Sequence, residues 1–317
     1  MNNFINGTDK KIQYEEIIVC LFDGEYNLGA AALINSLVKF DFKGLIYIGY
    51  RGTLPDWVGQ LKFLNDNCYS VSDDITIHFK QVETRMQLGY YKPFFIKEAF
   101  DTYKNTNKFY FFDSDITVIA PWSFFSYWLE NGVCLCLDSS FSFLHSSHPW
   151  RKYWRHLAPD DITVFNNINY YFNSGFIGIE RGSIGLIDRW IQFTEKYIEI
   201  GGDITRFVKD KIDYIKGDQD LLNAAITCSP GIEISIIGKD GMGFELPSYL
   251  MLHAISAHKP WNKRFVDQLF KSGHKPSLPD KFFFLNSLHP IRIFTQYTYR
   301  IKKFDMYMAS LFGRVLD

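Results

Sequence analysis

The chain has 317 residues, 47% of them hydrophobic and 18% aromatic, and a formal charge of −1. That length buries a substantial core in one domain with at most a small C-terminal addition, and the balanced charge excludes a surface built for a polyanion, so nucleic acid is not an expected partner. Five cysteines (Cys20, Cys68, Cys134, Cys136 and Cys228) form no zinc-ligand framework, no apolar run reaches the roughly 20 residues of a membrane span, and the amino terminus lacks a secretory pattern. These features lead us to expect reduced thiols and a cytoplasmic protein, with peripheral contact at the inner face of the membrane left open.

The first strand expected is EIIVCLF at 16–22. Turn chemistry at Asp23, Gly24 and Asn27 follows it, and Gly29 to Phe40 has helical apolar spacing. GLIYIGY at 44–50 comes almost at once as a second strand, which makes a βαβ opening and points to an α/β fold with a mainly parallel central sheet flanked by helices. ITIHFKQ at 75–81 is a further strand, PFFIKEAFDTY at 93–103 a helix, and KFYFF at 108–112 a short apolar strand ending in Asp113, Ser114 and Asp115. Ligands of open α/β sheets sit beyond the carboxyl ends of strands, where this acidic pair falls.

Further on, GVCLCLD at 132–138 and SGFIGIE at 174–180 are strands, 183–199 is an amphipathic helix, and DQDLLNAAI at 218–226 starts another. Residues 139–170, with their aromatics, histidines and the Pro159 to Asp161 turn, are either an acceptor-side excursion or an ordinary insertion. GHKPSLPDK at 273–281 is the clearest boundary, dividing a catalytic domain of residues 1–272 from an extension of residues 273–317. That aromatic and basic extension either packs on the domain or meets anionic lipid.

Carboxylates at i and i+2 point to opposite sides of a regular strand, but a turn after Phe112 brings Asp113 and Asp115 onto one ion. Such a pair suits a hard divalent cation, Mn²⁺ or Mg²⁺, bound to a diphosphate. The competing reading is that the two aspartates only cap the strand and turn. LHAISAHKPWN at 252–262 adds His253 as a third ligand and Lys259 as a point charge for phosphate. Asp218 and Asp220 also have a plain role available, at the first turn of a helix.

Taken together, VCLFDGEYNLGAAALINSL, FFDSD, YFNSGFIGIE, GDQDLLNAA and HAISAHKPW resemble, in order and across roughly residues 17–262, the retaining GT-A-fold glycosyltransferases of family 8, the glycogenin and lipooligosaccharide galactosyltransferase type. The resemblance implies a UDP-sugar donor with Asp23 near its uracil and Tyr26 beside the nucleoside. It implies metal binding by Asp113, Asp115 and His253, and diphosphate contact by Lys259. Ser114, Asn173, Ser174, Gly175 and Asp220 fall in its donor-binding segments, and Asp218 and Gln219 where catalysis occurs. The reaction implied is transfer of a hexosyl unit from UDP-hexose to an acceptor hydroxyl; the Asn/Lys/Ile-rich composition, without a signal or membrane span, suits bacterial surface polysaccharide synthesis, with a glycan or lipid-linked oligosaccharide as acceptor.

The chain departs from the family pattern in two places. Ser256 stands where the family often has glycine, and the basic residue that reaches the donor is open among Arg85, Lys92 and Lys97, of which Lys97 has the closest spacing to Asp113. An inverting enzyme using Asp218 or Asp220 as base, and a noncatalytic UDP-sugar-binding protein, are the alternatives. A nucleotidyltransferase and a Rossmann dehydrogenase fit less well, because neither a phosphate-cradling glycine loop nor G-x-G-x-x-G follows the first strand.

Overall fold

The computed structural model describes residues 13–160, 162–206 and 214–315. Residues 1–12, and Asp161 of the Pro159 to Asp161 turn, lie outside them. In chain order the elements are β1 (Glu16–Asp23), α1 (Tyr26–Lys39), β2 (Gly44–Arg51), β3 (Lys62–Asn65), β4 (Cys68–Ser70), β5 (Ile75–Gln81) and α2 (Leu88–Thr102). There follow β6 (Lys108–Asp113), β7 (Ile116–Val118), α3 (Trp122–Leu129), β8 (Val133–Cys136), α4 (Pro149–His156), β9 (Phe176–Glu180), α5 (Gly185–Glu199) and α6 (Asp218–Thr227). The last are β10 (Ile234–Ile237), β11 (Met251–His253), α7 (Phe265–Ser272), α8 (Leu278–Leu285) and α9 (Gln296–Val315).

The main sheet has the order β10-β8-β9-β6-β1-β2-β5-β4-β3. The block β6-β1-β2-β5 is parallel, as the βαβ opening predicts, and β9 enters antiparallel between β6 and β8. Strands covered on both faces are apolar throughout, and β1 shows why. Its Ile17, Val19 and Leu21 enter one core with α2, α5 and α6, while Ile18, Cys20 and Phe22 enter the other with α1 and α3. The two-residue period of a strand sends neighbours to opposite faces.

The first helix is buried along most of its length, from Gly29 to Leu37, because it has partners on two sides. One side faces the sheet. The other carries Ala32 into a third core with Trp261, Phe265, Leu269, Phe283, Phe284 and Ala309, so α7, α8 and α9 pack over α1. A buried polar latch fixes the segment after α8. Asn35 donates to the carbonyls of Asn286 and Ile291, both at 2.7 Å, and accepts from the Ile291 N–H at 2.8 Å. Severing it would strand buried donors and acceptors at about 1–3 kcal/mol each.

The second helix begins five residues before the expected Pro93. Gln87 caps it by accepting from Gly89 N–H at 2.5 Å, and Pro93 lies inside it. Pro93 has no N–H to give the Gly89 carbonyl one turn earlier, which leaves that carbonyl outside the helical ladder. The expected strand 132–138 is confined to Val133–Cys136, because its last residues turn away to pair singly, Leu137 with Phe172.

Candidate active site

A cleft of about 280 Å³ opens at the carboxyl ends of β1 and β6. The acidic turn forms its floor. β6 ends at Asp113, whose N–H donates to the Gly175 carbonyl at 2.7 Å, and the chain turns through Ser114 and Asp115 into β7. β7 pairs antiparallel with β11, which sets His253 opposite Ile116, and Ala254 N–H donates to the Asp115 carbonyl at 3.0 Å. A small second sheet thus carries the histidine to the acids from far along the chain.

His253 Nε2 lies 3.1 Å from Asp115 Oδ1 and 3.9 Å from Asp113 Oδ2. One donor atom from each of the three residues lies within 4.8 Å of the others. Neighbouring ligands around a six-coordinate Mg²⁺-sized ion are about 3 Å apart, so the three fit one divalent cation. Two hard oxygens suit Mg²⁺ or Mn²⁺, and the imidazole nitrogen favours Mn²⁺ of the two.

Two lysines bracket the triad. Lys259 Nζ donates to Asp115 Oδ2 and to the Ala254 carbonyl, both at 2.7 Å, and stands 5.7 Å from the centre of the Tyr26 ring. Lys92 Nζ is 2.9 Å from Asp113 Oδ1, 3.1 Å from Asp218 Oδ2 and 3.2 Å from the Ser174 carbonyl. Burial disfavours its charge, but Asp113 and Asp218 outweigh that and hold its pKa above the ordinary lysine value. The two acids of the turn diverge. Burial pushes Asp113 up, only partly offset by Lys92 and reinforced by Asp115. Asp115 is more deeply buried, yet His253 and Lys259 overcome that cost and hold it well below the usual carboxylate range.

Close approach accounts for two glycines here. A Cβ on Gly29 would meet the Ser114 carbonyl oxygen at 2.3 Å and the Trp261 ring at 2.8 Å, so only glycine lets α1 lie against the acidic turn. A Cβ on Gly175 would meet His253 Cε1 at 2.5 Å, so the Asn173-Ser174-Gly175 turn also shapes the histidine's seat. In that turn Asn173 donates to Asp138 Oδ2 at 3.1 Å and accepts from Gly175 N–H at 2.9 Å. Ser174 Oγ donates to Asp218 Oδ2 at 2.9 Å, and its N–H to Gln219 Oε1 at 3.2 Å.

Of the residues singled out in the sequence, Asp23, Tyr26, Asp113, Ser114, Asp115, Asn173, Ser174, Gly175, Asp218, Gln219 and His253 all border this cleft, and Lys259 stands at its side. Two are elsewhere. Lys97 turns away and lies 3.0 Å from Asp188 on α5; five residues along a helix is a rotation of about 140° from Lys92, and Lys92 is the basic residue that enters. Asp220 is half a turn from Asp218 and lies behind the cleft, accepting from Tyr171 OH at 2.7 Å and Lys216 N–H at 2.6 Å. Burial pushes its pKa up to about 6 against those two donors.

Sequence reading missed Arg51, which lies at the β2 end and is ion-paired to Asp23, and the Gln87, Leu88 and Gly89 wall. Beyond Arg51 is a second, larger cavity of about 840 Å³, formed by the 51–57 loop, the start of α1 and residues 292–296.

No protein-family model matches this sequence, and no curated protein sequence matches it. Solved structures do match. The apo structure of WbbM, a bifunctional glycosyltransferase, is similar at a TM-score of 0.53 and 16% identity over 92% of this chain and 52% of WbbM, so the chain spans about half of that protein's length. An active-site variant of LgtC is similar at a TM-score of 0.50 and 13% identity, over 90% of this chain and 99% of that one. The glycosyltransferase GlyE of Streptococcus pneumoniae TIGR4 gives 0.49 and 16%, over 95% and 64%. The first two likenesses show the fold: α/β, with a helix-flanked central sheet of the GT-A glycosyltransferase type.

Proposed function

We propose that the protein is a metal-dependent glycosyltransferase that moves a hexosyl unit from a UDP-sugar to a glycan or glycolipid hydroxyl with retention of configuration. The observation that carries this reading is the Asp113, Asp115 and His253 cluster, with Lys92 and Lys259 on its outer oxygens, at the strand ends of a GT-A-type sheet. Those three residues would hold Mn²⁺ or Mg²⁺, whose chemistry is to offset charge on a diphosphate leaving group.

The chain's own groups divide the remaining work. Lys259 is placed to shift its hydrogen bonds from Asp115 toward a phosphate oxygen, an interaction that strengthens as the leaving group gains charge. In this reading Asp23 and Tyr26 take the nucleoside and Asp218 and Gln219 the sugar, and all four line the cleft. Retention is supported by what the carboxylates there are doing. Asp218 is tied to Lys92 and Ser174, and Asp220 is buried behind it, so neither stands free as a base for an acceptor hydroxyl. Gln219 is a weak nucleophile with its carbonyl oxygen already engaged. Front-face substitution, with the departing phosphate taking the acceptor proton, fits this arrangement.

For the acceptor, the exposed aromatics Phe141, Phe143 and Tyr170 on the 139–170 excursion offer apolar platforms for sugar rings. On α9, Tyr297, Ile301 and Phe304 are exposed at helical spacing beside Arg300 and Lys303, a pattern suited to a lipid-linked acceptor at a membrane surface in surface-polysaccharide synthesis. No helix among the described residues is long and apolar enough to cross a membrane.

The test is incubation of the purified protein with Mn²⁺ and a panel of nucleotide sugars and candidate acceptors. Released UDP and glycosylated product are measured by mass spectrometry, and the product anomer by NMR. Metal-dependent UDP release from one donor, lost in Asp113→Asn/Asp115→Asn, supports the transferase. An inverted anomer removes the retaining assignment, and binding without turnover across the panel makes the protein a noncatalytic UDP-sugar binder.

A further inference from the structure

Asp23 and Arg51 are the last register pair of the parallel strands β1 and β2, so their side chains leave the sheet on the same face. Arg51 Nη2 donates to Asp23 Oδ2, and Nη1 donates to the carbonyls of Met86 at 3.1 Å and Thr84 at 3.4 Å. One planar guanidinium therefore joins the ends of two strands to the turn that leads into α2. That turn is ordered in its own right, with Met86 N–H donating to Thr84 Oγ1 at 3.1 Å and Gln87 capping the helix. Gln87, Leu88 and Gly89 beyond it form one wall of the cleft.

The clamp has an electrostatic side as well. Asp23, Asp113, Asp115 and Asp218 place four carboxylates around the cleft, against the ammonium groups of Lys92 and Lys259. Lys92 and Lys259 pair with the other three, so Asp23 needs a cation of its own. Arg51 supplies it while using only one Asp23 oxygen; the other, Oδ1, has no hydrogen-bond partner among the described residues.

We propose that Arg51 is the positioning residue for the donor nucleoside: it holds Asp23 and the 84–87 turn in one frame, so that Asp23 Oδ1 is presented to a ring N–H. This rests on the UDP-sugar reading above. An ordinary half-exposed ion pair contributes little to stability, so a merely structural role predicts a small change in melting temperature and no selective change in ligand binding. Lysine would keep the charge but, as a point donor, cannot bridge a carboxylate and two carbonyls in the same plane.

The experiment measures calorimetric Kd values for UDP and for inorganic pyrophosphate, each with Mn²⁺, on the wild type, Arg51→Lys, Arg51→Met, Asp23→Asn and Arg51→Met/Asp23→Asn, with circular dichroism melts alongside. We expect Arg51→Met to weaken UDP binding by about tenfold or more with pyrophosphate binding changed less than threefold, and Arg51→Lys to fall between. The double variant should lose less than the product of the single losses, because both act through one contact. UDP and pyrophosphate weakening together, or UDP binding unchanged in Arg51→Met, overturns the assignment of Arg51. A wild type that binds pyrophosphate but shows no preference for UDP overturns the uridine reading itself, which separates the two failures.

Discussion

The cleft and the cavity beside it differ in a way that size alone misrepresents. The cavity across Arg51 has about three times the volume, yet Arg292 on its wall is exposed, with a guanidinium that has no partner among the described residues. The cleft is small and crowded with groups that are costly to bury, including Lys92, Asp115, Asp218 and His253, each bonded to another. Buried charge that is held in place has to be offset by its neighbours, and an arrangement so expensive is typical of a site where charge is used. Room by itself marks only where something fits.

That contrast can be broken most directly at the triad. Asp115→Asn removes a ligand and the partner of both His253 and Lys259, and should lower metal-supported turnover on the order of 10²–10³-fold, read as UDP release, with weaker Mn²⁺ binding by calorimetry. Equal activity and metal affinity would make the cluster a structural ion pair. Lys92→Met should come next. It leaves Asp113 and Asp218 facing each other without a cation, costing about 3–5 kcal/mol of stability in urea unfolding, and Lys92→Met/Asp218→Asn should recover part of that loss.

The third effect is a pH dependence at Asp220. Its folded pKa, about 6, is raised above the ordinary 3.8, so the fold binds that proton more tightly than the unfolded chain does. The contribution is therefore present below about pH 4 and is lost as pH rises toward 6. Across that window wild type should lose about 2–3 kcal/mol relative to Asp220→Asn, measured by paired denaturant titrations at each pH. A gap that stays constant would mean that Tyr171 and Lys216 fully compensate the buried charge. The smallest effect is expected in the large cavity: Arg292→Ala should change turnover by less than about twofold, since the group has no partner to lose, and a larger change would show that the two cavities work together.

The sequence made the first half of the molecule legible because its signals are local. β1, α1, β2 and β6 alternate, punctuate and end almost where their residues say. The acidic pair could be read for the same reason. What could not be read depends on partners remote in sequence. Lys97 has the closer spacing to Asp113 in the sequence, but α2 turns it toward Asp188, and the helix that starts at the Gln87 cap carries Lys92 to the acids instead. Arg51 follows β2 with no motif around it, and nothing but the parallel register with Asp23 gives it meaning. Asp218 and Asp220 read alike, and the helical rotation between them sends one into the cleft and one behind it.

The pairing of β7 with β11 has a consequence in time as well as in space. The acids leave the ribosome early and the histidine and Lys259 more than a hundred residues later. A growing chain thus carries Asp113 and Asp115 without His253 while more than a hundred residues are added, and the second sheet closes only when β11 arrives. Closure of the second sheet and assembly of the Asp113, Asp115 and His253 cluster become one event, so a chain that stops short of β11 lacks the cluster.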